Sequence, residues 1–282
     1  MNELDRLVDN FIFLEGPRWH QDKLYVSDMW GKKVYAITSI GQATELVEIV
    51  NRPSGIGFMR NGKMILSSMA DKKVLAFDFE NTPSLLCDLE PFVTGDINDL
   101  VVDDNDNVYV GNFGYDLFGG ASEAPGSICL INSDGEPSIV ADNLAFPNGM
   151  VIDNKNKILI CAETFGHKLT AFDINSDGTL HNKRTWADLG DNTPDGICLD
   201  EAGAIWAACF VTEKFIRVLE GGEIQREISV KGRKAVACNL GGQDRKTLFC
   251  LTYNGELEDI AKGLPRAEIY TCSVEVSGAG SP

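Results

Sequence analysis

Apolar and polar residues alternate along this chain in short runs, and one pattern recurs at intervals of roughly 40 to 50 residues, the period of a four-stranded propeller blade. Each copy has a small or polar pair, a short apolar alternation, a turn of Asp, Asn or Gly, and a second strongly β-prone run. Six copies fill the 282 residues. They begin at Glu15, Ser54, Asn98, Asn148, Asp195 and near Ala237.

A third apolar run with period two follows each copy, as in KVYAI and FIRVL, and ends at a turn. No stretch sustains a 3.6-residue period, so helix should be scarce. Stacking six such sheets radially buries both faces of each, and closing the ring hides the strand edges. The pattern predicts an all-β, six-bladed β-propeller with four-stranded antiparallel blades around a central channel, as a single domain over residues 1–282. The segment around Phe11 to Leu14 is expected to supply a strand to the last blade.

The residues that open the repeats carry the candidate chemistry. The innermost strand of a propeller blade borders the channel, so its first residues should converge at one mouth. Four of the six are carboxylates or amides, whose oxygens suit Ca²⁺, Mg²⁺ or Mn²⁺: Glu15, Asn98, Asn148 and Asp195. Asn-Gly and Asp-Gly pairs also make turns, which is the alternative reading. Because glutamate is poor in turns, and because the pairs lead into strands, the pattern favours one divalent metal ion.

Composition narrows the class of partner. The chain is 44% apolar and 24% charged, as is ordinary for a globular protein. A formal charge of −17 argues against nucleic acid and membrane surfaces as partners and leaves a small molecule. The N-terminus is acidic where a secretory signal would be basic, so we expect a cytoplasmic location. The eight cysteines should then stay reduced and act as small buried hydrophobes.

The phrases EGPRW, IND, FPNGM and PDGICLD follow one another in an order that resembles the regucalcin/gluconolactonase family, also called the senescence marker protein family. The resemblance covers nearly the whole chain. It implies a six-bladed propeller that binds one divalent cation through Glu15, Asn148 and Asp195. Ca²⁺ is favoured, and Mg²⁺, Mn²⁺, Zn²⁺ and Fe²⁺ are alternatives.

The same resemblance suggests residues that meet the substrate. It implies that Asn98 contacts substrate or a metal-bound water and that Asp99 is an acid of the substrate pocket. Vertebrate members carry Arg two residues before this Asn, where the chain has Asp96. A preference for sugar acids is therefore not implied.

The reaction expected of this site is the opening of a small lactone, such as a sugar lactone, by a water activated on the metal. Asp195 would accept the proton of that water and is the expected catalytic residue. Two alternatives remain: hydrolysis of organophosphate or aryl esters with the same site, and a non-catalytic binding platform. The sequence is compatible with a monomer or a weak homo-oligomer.

After the third repeat, GNFGYDLFGGASEAPG is rich in glycine and aromatic residues. Phe113, Tyr115 and Phe118 could form an apolar lid that contacts substrate, or the stretch could be a packed inter-strand loop. No GxSxG motif occurs, and the three histidines lie in turn-like contexts without a Ser or Cys partner, so a serine-type hydrolase is not expected. His167 should have a surface or hydrogen-bonding role. The acidic run around Asp103 should be a strand-connecting turn.

Overall fold

The structure, a computed structural model, describes residues 4–280, in which 24 strands form six four-stranded antiparallel sheets. One 3-10 helix, Leu257–Lys262, lies between the last two strands in this part of the chain. In chain order the strands are β1 (Asp5–Phe11), β2 (Leu14–His20), β3 (Lys23–Asp28), β4 (Lys33–Ile37), β5 (Ala43–Glu48), β6 (Pro53–Phe58), β7 (Met64–Ser68), β8 (Lys73–Phe77), β9 (Ser84–Asp88), β10 (Ile97–Val102), β11 (Val108–Asn112), β12 (Gly126–Ile131), β13 (Pro137–Leu144), β14 (Pro147–Asp153), β15 (Ile158–Glu163), β16 (Lys168–Ile174), β17 (Leu180–Asp188), β18 (Pro194–Leu199), β19 (Ile205–Cys209), β20 (Lys214–Val218), β21 (Ile224–Ser229), β22 (Lys234–Gly241), β23 (Thr247–Tyr253) and β24 (Ala267–Ser273).

The sheets close into a ring. Five blades are built from four consecutive strands each, starting at β2, and the sixth is β22, β23, β24 and the N-terminal β1 as its outermost strand. The innermost strands β2, β6, β10, β14, β18 and β22 each contact the next, and β22 contacts β2. The predicted six-bladed, all-β propeller is confirmed. The closing strand lies slightly earlier than expected, because only Phe11 of the Phe11 to Leu14 segment belongs to it.

The alternating apolar residues are buried between neighbouring blades. Ile56 and Leu66 of the second blade, for example, pack in one cluster with Tyr25 and Val34 of the first. All eight cysteines are buried, as expected for small hydrophobes in sheet interiors. No helix among residues 4–280 is long and apolar enough to span a bilayer.

The opening pairs of the repeats lie inside the innermost strands and not at turns. A Cβ placed on Gly196 would lie 2.3 Å from the Cβ of Ala237, and one on Gly149 would lie 2.6 Å from the amide nitrogen of Ile197. Glycine is therefore required where the next blade's inner strand passes. In five blades the pairing of the inner strand is interrupted at this same place, at Glu15/Arg18, Pro53/Ile56, Ile97/Leu100, Pro147/Met150 and Pro194/Ile197.

Gly196→Ala is expected to destabilise the fold by about 1 to 3 kcal/mol, because the added methyl group overlaps Ala237 and forces two inner strands apart. Gly111→Ala is the matched control, since a Cβ there meets its nearest atom at 3.5 Å, an ordinary contact. Urea denaturation of the two variants checks the prediction. Equal midpoints would contradict it.

A narrow space lies at the end of the inner strands far from these pairs. Residues 278–280 line it together with Trp19, Ile197 and Leu199, which come from two different blades, and its volume is only about 30 Å³. The amide of Ala279 donates to the carbonyl of Leu199 at 3.0 Å. Another cavity lies at the opposite mouth, where the opening pairs of the repeats are.

Candidate functional site

Side chains from four blades line one cavity of about 340 Å³ at this mouth. They are the four oxygen-bearing residues that open the first, third, fourth and fifth blades: Glu15, Asn98, Asn148 and Asp195. The expected convergence is thus found. Ser54, which opens the second blade, supports the group from behind by donating its hydroxyl to Asn98 Oδ1 at 3.1 Å.

A chain of hydrogen bonds orients the two amides. Asn98 Nδ2 donates to Asn148 Oδ1 at 3.1 Å, and Asn148 Nδ2 donates to Thr164 Oγ1 at 3.2 Å. Thr164 in turn donates to the carbonyl oxygen of Pro194 at 2.7 Å. Asn148 also hydrogen-bonds the carboxylate of Asp195. These partners fix which end of the Asn148 amide carries the oxygen.

The two carboxylates of the site lack a counter-charge. Burial raises the pKa of Glu15 well above its ordinary value, and repulsion from Asp195 and Asp99 raises it further. Burial and repulsion from Asp99 likewise raise the pKa of Asp195. Among the described residues, the buried Asp195 Oδ1 has no hydrogen-bond partner. Among residues 4–280, Lys234 is the only basic residue that lines the cavity, and its Nζ lies 3.2 Å from the carboxylate of Glu213.

This donor set fits a hard divalent cation. Glu15 and Asp195 offer two negative charges, and Asn148 adds a neutral amide oxygen, the combination of oxygens that Ca²⁺ and Mg²⁺ prefer. Within residues 4–280 no three histidine, cysteine, aspartate or glutamate side chains gather as a metal-binding group. A metal at this place would therefore depend on the amide as much as on the acids.

Asp99 lies beside Asn98 in the chain, but its carboxylate does not line the cavity. Asp99 is 3.2 Å from a guanidinium nitrogen of the buried Arg18 and accepts from the amide of Leu100 at 2.9 Å. The resemblance implied a substrate-pocket acid, whereas these contacts give Asp99 a supporting place beneath the floor.

Arg18→Met is expected to cost about 3 to 5 kcal/mol of stability, because it leaves the Asp99 carboxylate buried without its partner. Arg60→Met is the control, since Arg60 and Asp106 form an exposed pair at 3.3 Å that contributes at most about 1 kcal/mol. Chemical denaturation of both variants measures the difference. A loss in Arg18→Met no larger than in the control would refute the assigned charge compensation.

Asp96, which stands where vertebrate family members carry Arg, forms an ion pair with a residue of the neighbouring blade. Its carboxylate lies 2.6 Å from a guanidinium nitrogen of Arg52. That guanidinium also packs over the rings of Trp30 and Phe118, at 5.1 and 4.5 Å from their centroids. Neither Asp96 nor Arg52 lines the cavity. The pair instead anchors the aromatic loop that follows β11.

The aromatic loop after β11 has features of both a packed inter-strand loop and an apolar lid. Phe113 is buried and stacks on Phe146 with ring centroids 4.3 Å apart, as a packed loop requires. Phe113 and Phe118 also line the cavity, as a lid requires. Tyr115 packs against Phe146 and is absent from the cavity wall, so it is not brought together with the other candidates. Movement of the loop remains a prediction.

Most of the residues that form the cavity wall were not predicted from the sequence. Met29, Thr164 and Phe210 each directly follow the second strand of their blade and line the cavity, as does Phe113, which the sequence had indicated. Because this strand runs antiparallel to the first, its end returns to the mouth where the first begins. Reading the residue after the second strand of every repeat would therefore have found them.

The remaining motifs lie outside the cavity. His167 Nδ1 is 3.2 Å from the carbonyl oxygen of Asn192, in agreement with its expected hydrogen-bonding role. His20 stacks on Phe58 at 3.9 Å. Asp103 accepts hydrogen bonds from the amides of residues 105 and 107 in the turn between β10 and β11, so the strand-connecting turn is confirmed.

Comparison with known proteins gives consistent matches. The family described as "SMP-30/Gluconolactonase/LRE-like region" matches residues 13–254. Regucalcin of Danio rerio is 25% identical over 94% of this chain and 90% of its own length. Pentonolactonase XacC of Haloferax volcanii is 22% identical over 89% and 85%. A regucalcin structure from Agrobacterium tumefaciens, described as a calcium-binding protein, superposes with a TM-score of 0.82 at 16% identity, over 97% of this chain and 94% of its own.

Proposed function

The chain belongs to the SMP-30/gluconolactonase/LRE-like family, which confirms the resemblance, and we propose that it is a metal-dependent hydrolase that opens a small lactone. The observation that carries the proposal is the pair of carboxylates of the half-buried Glu15 and the buried Asp195, which face one cavity without a counter-charge. The names of relatives, gluconolactonase and pentonolactonase, support lactone as the substrate class.

We assign the metal to Glu15, Asn148 and Asp195. When bound, a divalent ion in such a site polarises a carbonyl oxygen and lowers the pKa of water. Ca²⁺ is favoured because the ligands are all oxygens, and the calcium-binding relative is consistent with that choice. The orphaned Asp195 Oδ1 is the buried acceptor that a cation would satisfy.

Asp195 and Asn98 have different proposed roles in the reaction. Asp195 accepts a proton from the attacking water as the water oxygen bonds to the lactone carbonyl carbon. The ring C–O bond then breaks, and the proton passes to the departing alkoxide to give a hydroxy acid. Asn98 uses one amide hydrogen for Asn148, which leaves the second to hold the substrate or the water. An amide has no useful acid or base form, so Asn98 can only position.

A lactone panel followed by pH drop tests the proposal. The protein is assayed as prepared, after chelation, and after re-addition of Ca²⁺, Mg²⁺, Mn²⁺, Zn²⁺ or Fe²⁺ singly. We expect loss on chelation, recovery with at least one cation, and no recovery in Asp195→Ala or Glu15→Gln. Phosphotriesters and aryl esters are included as competing substrates. Activity unaffected by chelation would overturn the metal, and inactivity toward every substrate would indicate a binding platform.

A further inference from the structure

The walls of the cavity differ in chemistry from its floor. Four phenylalanines form a continuous surface: Phe113 stacks on Phe146, Phe146 contacts Phe165 at 4.6 Å, and Phe113 meets Phe118 edge-on at 6.3 Å. Phe13 and Phe210 add two further rings to the lining. Aromatic walls of this kind bind flat or alkyl groups through apolar contact.

The apolar surface continues outwards to the rim, where it is exposed. Phe118, Phe165, Val211 and Leu257 are 39%, 44%, 65% and 52% exposed and all line this cavity. They account for four of the twelve large apolar residues that are exposed in residues 4–280. Exposed apolar groups gathered at one opening mark a binding site, whereas single ones do not.

The polar groups of the floor have few hydrogen-bonding positions left for substrate hydroxyls. Asn98 and Asn148 bond each other, and Thr164 is occupied by Asn148 and Pro194. Thr193, the other hydroxyl of the lining, accepts from the amide of Val211 at 2.9 Å. The neutral partners left at the floor for substrate hydroxyls are therefore the second amide hydrogen of Asn98 and the hydroxyl hydrogen of Thr193, which are too few for a polyhydroxylated ring.

Charge around the cavity favours a neutral substrate. Glu256 and Glu258 lie on the rim, and the only lining cation, Lys234, is 3.2 Å from Glu213 and 3.7 Å from Glu256. A divalent ion between Glu15 and Asp195 would leave the floor close to neutral. No basic side chain is then free to hold a carboxylate or phosphate.

From these walls we infer that the substrate is an uncharged lactone with an apolar alkyl or aromatic substituent, and not a polyhydroxylated sugar lactone. This inference rests on the proposed function, which supplies the reaction, lactone opening. The substrate class is inferred from the cavity walls alone. The reacting carbonyl lies at the floor, and the substituent lies along Phe113, Phe146 and Phe165.

Two pairs of lactones test the class. δ-Hexalactone and δ-decalactone share the ring and the leaving alkoxide and differ by four methylenes, so kcat/KM should rise by at least about tenfold with the longer chain. δ-Decalactone should exceed glucono-1,5-lactone by about 10²-fold, after correction of each for its uncatalysed hydrolysis. Faster turnover of glucono-1,5-lactone would overturn the substrate class while leaving the lactonase proposal intact.

Rim variants show which residues carry the preference. Phe118→Gln and Phe165→Gln should bring the kcat/KM values of the two δ-lactones to within about threefold of each other. Phe79→Gln is the matched control, because Phe79 is 41% exposed, lies between β8 and β9, and does not line the cavity. An unchanged preference in both rim variants would contradict the assigned contacts.

A binding measurement separates this inference from the proposed reaction. 3-Pentylcyclohexanone has the ring and chain of δ-decalactone without a hydrolysable bond, and Trp30, 5.5 Å from the Phe118 ring, can report its binding by fluorescence. We expect saturable binding that weakens at least fivefold in Phe118→Gln, even if no lactone is turned over. Absence of saturable binding would overturn the apolar substrate class.

Discussion

Asp195→Asn is expected to lower kcat/KM for lactone opening by about 10³-fold or more, because it would remove both a proposed metal ligand and the proposed acceptor of the proton of water. The amide keeps the size of the side chain, so the loss should be chemical and not structural. The same variant should lose the increase in melting temperature that we expect Ca²⁺ to give the unmodified protein. Steady-state kinetics and thermal melts with and without cation measure the two effects.

Asp191→Asn is the matched control for this prediction. It makes the same change of charge four residues away on an exposed residue. It should leave both the activity and the cation response within about twofold of the unmodified protein. Retention of full activity by Asp195→Asn would remove Asp195 from the mechanism.

The second large effect concerns the free energy of unfolding of Glu15→Gln, whose advantage over the unmodified protein should shrink when metal is bound. In chelator near pH 7, Glu15→Gln is expected to stabilise the protein by about 1 to 4 kcal/mol, because it removes the negative charge of the half-buried Glu15 beside the buried Asp195. With cation at 100 times its Kd the unmodified protein gains about 2.7 kcal/mol, which the variant cannot gain. Denaturation in EDTA and in Ca²⁺ measures both differences.

The direction of the pKa shifts determines how the stability difference between Glu15→Gln and the unmodified protein, measured in chelator, depends on pH. Both carboxyls have raised pKa values in the fold, whereas an unfolded glutamate titrates near pH 4.3. Their contribution to stability is therefore complete below about pH 4 and is lost as the pH rises through the raised folded values. In chelator the advantage of Glu15→Gln should shrink as the pH falls from 7 to 5. Glu48→Gln, at an exposed residue, should show no such dependence. A constant advantage over this range would contradict the assigned repulsion.

The sequence was sufficient to predict the ring and the convergence at its mouth, because both follow from a repeated position. When six equivalent strands border a channel, their first residues converge at one mouth, and this convergence does not depend on the conformation of the loops. Asn148 and Asp195 could be recognised for this reason, although each Asn-Gly or Asp-Gly pair alone resembles a turn. The closing strand was harder to bound, since β1 and β2 are separated by only two residues, Ile12 and Phe13.

Other features depend on contacts between distant parts of the chain. Arg18 pairs with Asp99 across 81 positions and two blades, and no local pattern indicates such a partner. The resemblance implied that Asp99 is an acid of the substrate pocket, whereas its carboxylate pairs with Arg18 and does not line the cavity. The compensation of Asp96 by Arg52 likewise needs the neighbouring blade. The 3-10 segment at the rim has no repeat equivalent from which it could be inferred.

The cavity opens past two exposed acidic residues, Glu256 and Glu258. If the proposed hydrolysis takes place there, a neutral lactone becomes a carboxylate anion close to these two negative charges. Repulsion would then favour release of the product over its rebinding, and added salt should weaken this effect by screening the charges.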